Sequence, residues 1–459
     1  MTLIKSISGI RGTIGGSIGD NLTPLDVVKF ASAYGMWLKN RTSGYLKVVV
    51  GRDARMSGAI VQELVQCSLL SLGINVIDLG LSTTPTVEVA VPLENANGGI
   101  ILTASHNPKQ WNALKLLNEK GEFVSAADGA EILSIAENEA FNFAQVDDLG
   151  FTIKKDYLQI HIDAVLALST VDVNLVKKAN FKAVIDAVNS TGGIYIPALL
   201  EQMGVEVVKL YCEPNGKFPH NPEPLPEHLH DLCSLVKETC SDIGFVVDPD
   251  VDRLAIVSED GSLFGEEYTL VAVADHVLKT QKGDTVSNLS STRALKDVSV
   301  KHSVNYHASA VGEVNVVTKM KEVNSPIGGE GNGGIIYPEL HYGRDSLVGI
   351  ALFLTHLAQS KVSCSELRKQ YTNYYMSKQK IQLTPDIDVD NILSVMAKRY
   401  AKEDVNTIDG VKINFSNEWV HLRKSNTEPI IRVYTESISP SKANQLAQRI
   451  INEINLIKD

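Results

Sequence analysis

Short apolar runs bounded by turn residues alternate along the chain with stretches of helical spacing. Leu46–Val50 precedes Gly51-Arg52-Asp53, Asn75–Leu79 precedes Gly80, and Gly99–Thr103 precedes Ala104-Ser105. Runs that are apolar throughout, instead of alternating, predict strands buried on both faces of a largely parallel sheet with crossover helices. Between them the spacing predicts helices over Pro24–Leu38, with Thr23 as N-cap and Pro24 at the first helical position, and over Ala59–Leu72. The strand-then-turn unit recurs at Phe181–Val188 before Asn189-Ser190-Thr191-Gly192-Gly193, at Ile243–Val247 before Asp248-Pro249-Asp250, and again after Asp284. These restarts predict three similar mixed α/β domains, 1–155, 156–257 and 258–370. Beyond them Lys378–Leu383, Val411–Phe415, Trp419–Leu422 and Ile430–Thr435 read as short strands and Ser441–Ile457 as a closing helix, which predicts a C-terminal α+β domain over 371–459.

A chain of 459 residues has room for such domains, since each typically takes roughly 100–200 residues. Its 44% apolar and 21% charged residues are those of a globular protein. The net charge of −11 argues against nucleic acid or an anionic membrane as partner and makes any local cationic cluster stand out. The five cysteines (Cys67, Cys212, Cys233, Cys240 and Cys364) form no C-x-x-C pair, so they read as reduced thiols. Neither a signal-type apolar region nor a membrane-length apolar run is present, and a cytoplasmic location is expected.

Four segments carry candidate chemistry. Thr103-Ala104-Ser105-His106-Asn107-Pro108 puts a serine on a turn at the end of a buried strand, where a covalent nucleophile or phosphate carrier is held in place. A turn in which Ser105 and Asn107 only bond the backbone explains the same residues. Lys115, ten residues beyond Ser105, is within reach as a proton carrier or is simply a surface lysine. Asp248-Pro249-Asp250-Val251-Asp252-Arg253 sets three carboxylates on alternate residues between two apolar runs, and a divalent cation relieves their repulsion most easily. Glu259 falls at the twelfth position of a calcium loop, but the sixth position, which needs glycine, is Arg253.

Gly328-Gly329-Glu330-Gly331-Asn332-Gly333-Gly334 frees the backbone to approach a ligand, with Glu330 and Asn332 able to bond sugar hydroxyls; a plain surface loop has the same composition. It is neither a dinucleotide fingerprint nor a phosphate loop. Arg423-Lys424-Ser425-Asn426-Thr427-Glu428-Pro429, with Arg432 just beyond, offers an inventory suited to a phosphate dianion, or a capped turn with surface charges. Together the four suggest phosphoryl transfer on a sugar phosphate.

In this order, with Ser8-Gly9-Ile10-Arg11-Gly12, Gly51-Arg52-Asp53, Gly216–Pro219 and Asn221-Pro222-Glu223-Pro224, the motifs resemble those of the α-D-phosphohexomutase superfamily across the whole chain. The resemblance implies three similar α/β domains and a C-terminal domain around one cleft. It also implies a phosphorylated Ser105 that, with Asp248, Asp250 and Asp252, holds one magnesium ion. Arg11, His106, Lys115 and Arg253 match family positions near the reacting phosphate, with Lys115 as general acid or base. Gly329, Glu330 and Asn332 would meet the sugar, and Arg423, Ser425, Asn426, Thr427 and Arg432 the distal phosphate. The implied reaction passes through a hexose 1,6-bisphosphate, which also serves as primer. Phosphoglucomutase and phosphomannomutase members commonly carry Gly-Glu-x-Ser-Gly-His in the sugar loop, and Asn332 and Gly334 depart from it. Glu313, in Ala310-Val311-Gly312-Glu313, stands where an acidic residue is usual in phosphoglucosamine mutases. The expected substrate is therefore glucosamine phosphate, with broad glucose and mannose specificity as the alternative and a non-catalytic sugar-phosphate binding protein as a third reading. The sequence leaves open whether the chain is a monomer or a dimer.

Overall fold

The computed structural model describes residues 2–6, 9–383, 388–424 and 430–458. Its first sheet has seven strands in the order Ile4–Ser6, Gly9–Thr13, Trp111–Leu117, Gly98–Leu102, Lys47–Arg52, Asn75–Leu81 and Thr152–Lys154. The apolar runs form its parallel centre, with Val48–Val50 and Ile100–Leu102 almost wholly buried. Segment Trp111–Leu117 joins antiparallel beside Gly98–Leu102, and the N-terminal hairpin adds two more antiparallel strands, so the sheet is mixed. Helix Pro24–Arg41 starts at Thr23, whose side chain accepts from the Asp26 N–H while Asp26 returns a bond to the Thr23 N–H, a capping box. It runs three residues past the expected end.

The second sheet orders Leu254–Ser258, Ile243–Val247, Lys182–Asp186 and Glu206–Leu210, with only the first pair antiparallel. The third orders Tyr306–Ser309, Thr285–Asn288, Ile327–Glu330 and Gly334–Ile336, again with one antiparallel edge. A single apolar core runs through both units, with helix Ser346–Ser360 buried almost end to end between them. The last unit is a five-stranded antiparallel sheet backed by helices Val389–Arg399 and Pro440–Lys458, with its own core. Three mixed α/β units and a C-terminal α+β unit are thus the architecture. Among the described residues no helix is long and apolar enough to cross a membrane.

Candidate functional site

The serine and aspartate loops meet. Ser105 follows strand Gly98–Leu102 and sits in the left-handed region at φ 49°, as does Val251 in the aspartate loop at φ 66°. Such a conformation is costly for a β-branched valine and persists only where the surroundings impose it. The Ser105 loop is held from below by Arg55, which is almost completely buried and donates to the carbonyls of Ser105, Asn107, Pro108 and Trp111. Asp53 accepts from Arg55 Nε at 2.9 Å and from Thr103 Oγ1 at 2.7 Å, and Thr103 Oγ1 accepts from the Ser105 N–H. The result fixes Ser105 Oγ 2.7 Å from Asp248 Oδ2.

Asp248, Asp250 and Asp252 are fully buried and offer carboxylate oxygens within 4.8 Å of one another. Asp248 Oδ1 is occupied by the N–H groups of Asp252 and Arg253, and Thr84 Oγ1 donates to Asp250 Oδ2. Asp250 Oδ1 and Asp252 Oδ1 are buried with no hydrogen-bond partner among the described residues. An all-oxygen set with two orphaned carboxylate oxygens beside a serine hydroxyl fits a hard divalent cation such as magnesium. Lys115, on strand Trp111–Leu117, donates to Asp250 Oδ2 at 2.7 Å and Asp252 Oδ2 at 3.3 Å. Burial alone would lower its proton affinity, but the two carboxylates outweigh burial and raise it above that of an ordinary lysine. Burial, then repulsion from Asp252 and Asp250, holds Asp248 well above the ordinary carboxyl range.

His106 and two arginines form the basic side of the pocket. Burial, then the charge of Arg253, lowers Arg11, and the same two effects lower His106, so the imidazole is neutral. Arg253 Nη1 donates to Glu223 Oε1 at 3.1 Å, while its buried Nε has no partner among the described residues. Arg11, His106 and Arg253 therefore lie together beside Ser105, as a site for a dianion requires.

Glu330 ends strand Ile327–Glu330, followed by Gly331–Gly333. At Gly333 (φ 82°) a Cβ would lie 2.0 Å from the Leu254 carbonyl oxygen, so only glycine brings the loop this close to the aspartate-bearing unit. Glu330 Oε1 accepts from Asn288 Nδ2 at 2.9 Å and from the Gly312 N–H, and Asn332 Nδ2 lies 3.4 Å from Oε2. Arg344 joins this loop to the metal loop: it donates to Asp252 at 2.7 Å, Glu330 at 2.9 Å and Glu313 at 3.0 Å. The Arg344 N–H also donates to Glu313. Both oxygens of Glu313 thus face Arg344.

Arg423 and Arg432 stand directly opposite on adjacent antiparallel strands, and Lys380 faces Arg432 on the next. Like charges in register across strands repel unless an anion or carboxylate separates them. Asp409 accepts from Arg423 Nε and from the Val311 N–H at 3.0 Å, which docks this basic row against the Ala310–Glu313 turn. Ser425, Asn426 and Thr427 lie outside the described residues. Sequence reasoning missed Arg55, Thr84, Arg344 and Asp409, whose partners at the site come from distant segments of the chain.

Four segments match, in chain order, the phosphoglucomutase/phosphomannomutase alpha/beta/alpha domains I (residues 3–143), II (159–261) and III (265–375) and the C-terminal domain (380–453). With the serine loop held against the aspartate loop, this defines a phosphohexomutase, an isomerase-class enzyme that moves a phosphoryl group within its substrate. The chain belongs to the phosphoglucomutase/phosphomannomutase family. A phosphoglucomutase/phosphomannomutase of Thermococcus kodakarensis is 34% identical over 95% of this chain and 96% of its own. A phosphoglucosamine/phosphogalactosamine mutase of Sulfurisphaera tokodaii is 31% identical over 98% and 97%. A phosphoglucomutase/phosphomannomutase family protein of Burkholderia thailandensis superimposes with a TM-score of 0.85 at 25% identity, covering 99% of this chain and 98% of that one.

Proposed function

We propose that the chain interconverts glucosamine 6-phosphate and glucosamine 1-phosphate through a phosphorylated Ser105. The observation that carries the phosphoserine reading is Ser105 Oγ held 2.7 Å from Asp248 in a strained, clamped turn. Ser105, Asp248, Asp250 and Asp252 would hold magnesium, which when bound supplies charge neutralisation to the transferring phosphoryl group. In the transfer, the bond from phosphorus to Ser105 Oγ breaks, a bond to the free substrate hydroxyl forms, and the hydroxyl proton ends on Oγ. Arg11 and Arg253 hold the phosphoryl oxygens, and neutral His106 donates or accepts a hydrogen bond without adding charge. Lys115, kept as an ammonium by Asp250 and Asp252, serves as counter-charge and relays that proton, giving one to Oγ and taking back the one the hydroxyl loses.

Arg423 and Arg432, together with Ser425, Asn426 and Thr427, would grip the phosphate that is not reacting. The hexose 1,6-bisphosphate formed in the first half turns over in the cleft and returns its other phosphate to Ser105; the same compound primes an unphosphorylated chain. The amino-sugar reading rests on charge: Glu313 and Glu330 share the guanidinium of Arg344, which also pairs with Asp252, and this supports an acidic sugar pocket suited to a substrate ammonium. Broad glucose and mannose specificity is the second reading, favoured by the pairing of Glu313 with Arg344 and by the name of the Thermococcus relative. Comparing kcat/KM for the 1-phosphates of glucosamine, glucose and mannose decides between them. A preference of about tenfold or more for the amino sugar, roughly 1.4 kcal/mol, supports the first; equal or reversed values support the second.

A further inference from the structure

We propose that His161, His341 and Asp345 form a second metal site, for a zinc-class divalent cation, at the junction of the first three domains. His161 comes from helix Leu158–Leu166, and His341 and Asp345 from the loop that leads into helix Ser346–Ser360. One ligand atom from each lies within 4.8 Å of the other two. Asp345 Oδ2 is 2.9 Å from His161 Nε2 and 3.2 Å from His341 Nε2. Its Oδ1 caps the helix by accepting from the Leu347 and Val348 N–H groups, so Oδ2 is left to face the imidazoles. The two rings are near perpendicular, at 78°, and so present edges to one another instead of stacking.

The atoms behind these ligands are arranged as around a bound metal, where the outer nitrogen of each histidine is steadied by an oxygen. His161 Nδ1 is 2.8 Å from Thr86 Oγ1. His341 Nδ1 is 3.3 Å from Glu88 Oε2, yet neither atom has an aligned hydrogen-bond partner among the described residues. Thr86 and Glu88 both belong to helix Thr84–Leu93, and Glu88 is 1% exposed. Its place depends on Gly343, where a Cβ would lie 1.8 Å from Glu88 Oε2.

Charge points the same way. Two buried carboxylates, Asp345 and Glu88, face the two imidazoles, and a divalent cation between neutral imidazoles would balance both. Lys115 and Glu313 also act electrostatically on Glu88 and oppose each other there. Two nitrogens and one oxygen are a poor set for magnesium and a good one for zinc. The site is therefore chemically separate from the all-oxygen aspartate loop. A cation here would tie an element of the second domain to one of the third, against helix Thr84–Leu93 of the first. The proposal stands independently of the substrate reading.

The test uses the full-length protein stripped with a chelator, given zinc in the presence of excess magnesium, desalted, and measured by elemental analysis. About one zinc per chain is expected to remain, with a rise in unfolding temperature, and cobalt(II) in its place should show the visible absorption of a site with nitrogen ligands. His341→Gln and, separately, His161→Gln should lose the zinc while keeping the circular dichroism of the wild type; Asp250→Asn should retain it. Wild-type protein with only background zinc overturns the proposal whether or not the variants fold. Zinc lost in Asp250→Asn but kept in His341→Gln also overturns it, by placing the ion in the aspartate loop.

Discussion

Replacing Arg344 by methionine should unbalance the site more than any other change outside the reacting groups. The guanidinium is buried and spans Asp252 at 2.7 Å, Glu330 at 2.9 Å and Glu313 at 3.0 Å. Removing one partner of a buried ion pair typically costs about 3–5 kcal/mol, because the remaining charge is left uncompensated. Burial already raises the proton affinity of Glu313, so in the variant that carboxyl takes up a proton, and the expected cost sits at the lower end, about 3 kcal/mol. Adding Glu313→Leu to Arg344→Met removes the buried carboxyl left without its partner and should recover at least about 1 kcal/mol, a coupling readable in a double-mutant cycle. The assay is urea unfolding followed by circular dichroism, with mutase turnover measured on the same four proteins. Turnover should not recover in the double variant: Glu330 loses its orientation in both, and a loss of about a hundredfold in kcat/KM is expected. An Arg344→Met variant within about 0.5 kcal/mol of wild type, or strictly additive costs in the cycle, would refute the view that Arg344 is the shared counter-ion.

Chelation should abolish turnover and added magnesium restore it in the wild type, whereas Asp250→Asn should respond poorly to magnesium; magnesium titrations of activity check this. Asp409→Ala frees Arg423 from a charged hydrogen bond, worth about 1.5–3 kcal/mol, and detaches Val311, so KM should rise about tenfold or more with a smaller change in kcat. Lys412 is buried at the seam of the last two domains, where it donates to the Leu289 carbonyl. Burial pushes its ammonium down to about 8 against the pull of Glu436 and Glu267. Its folded value lies below its unfolded one, so the unfolded chain binds the extra proton between about pH 8 and about 10.5, and stability should rise across that window by up to about 3 kcal/mol. Lys412→Met should flatten that rise in thermal unfolding curves; an unchanged slope would contradict the assignment.

The parts of the fold legible in sequence are those set by local pattern. Strands Lys47–Arg52, Asn75–Leu81 and Gly98–Leu102 are apolar on both faces because helices cover both, and Thr23 with Asp26 marks a helix start within four residues. Strand Trp111–Leu117 was not legible, since Asn112 and Lys115 break its apolar run on opposite faces, Asn112 donating to Ser57 Oγ and Lys115 to Asp250. The acidic loop could be read because its three carboxylates fall on alternate residues of one short segment. Arg55 and Arg344 could not, because an isolated arginine looks like a surface group until folding brings distant carbonyls and carboxylates around it. The same reason explains Glu313, whose partner arrives from a different segment.

The central claim is that Ser105 carries the phosphate. Brief incubation of the protein with magnesium and a hexose 1,6-bisphosphate, followed by peptide mass spectrometry and then addition of unlabelled sugar phosphate, tests it directly. One phosphate is expected on the peptide containing Ser105, leaving when the sugar is added, with both phosphorylation and turnover absent in Ser105→Ala. Turnover that persists in Ser105→Ala, or a phosphate found on another residue, would contradict the account.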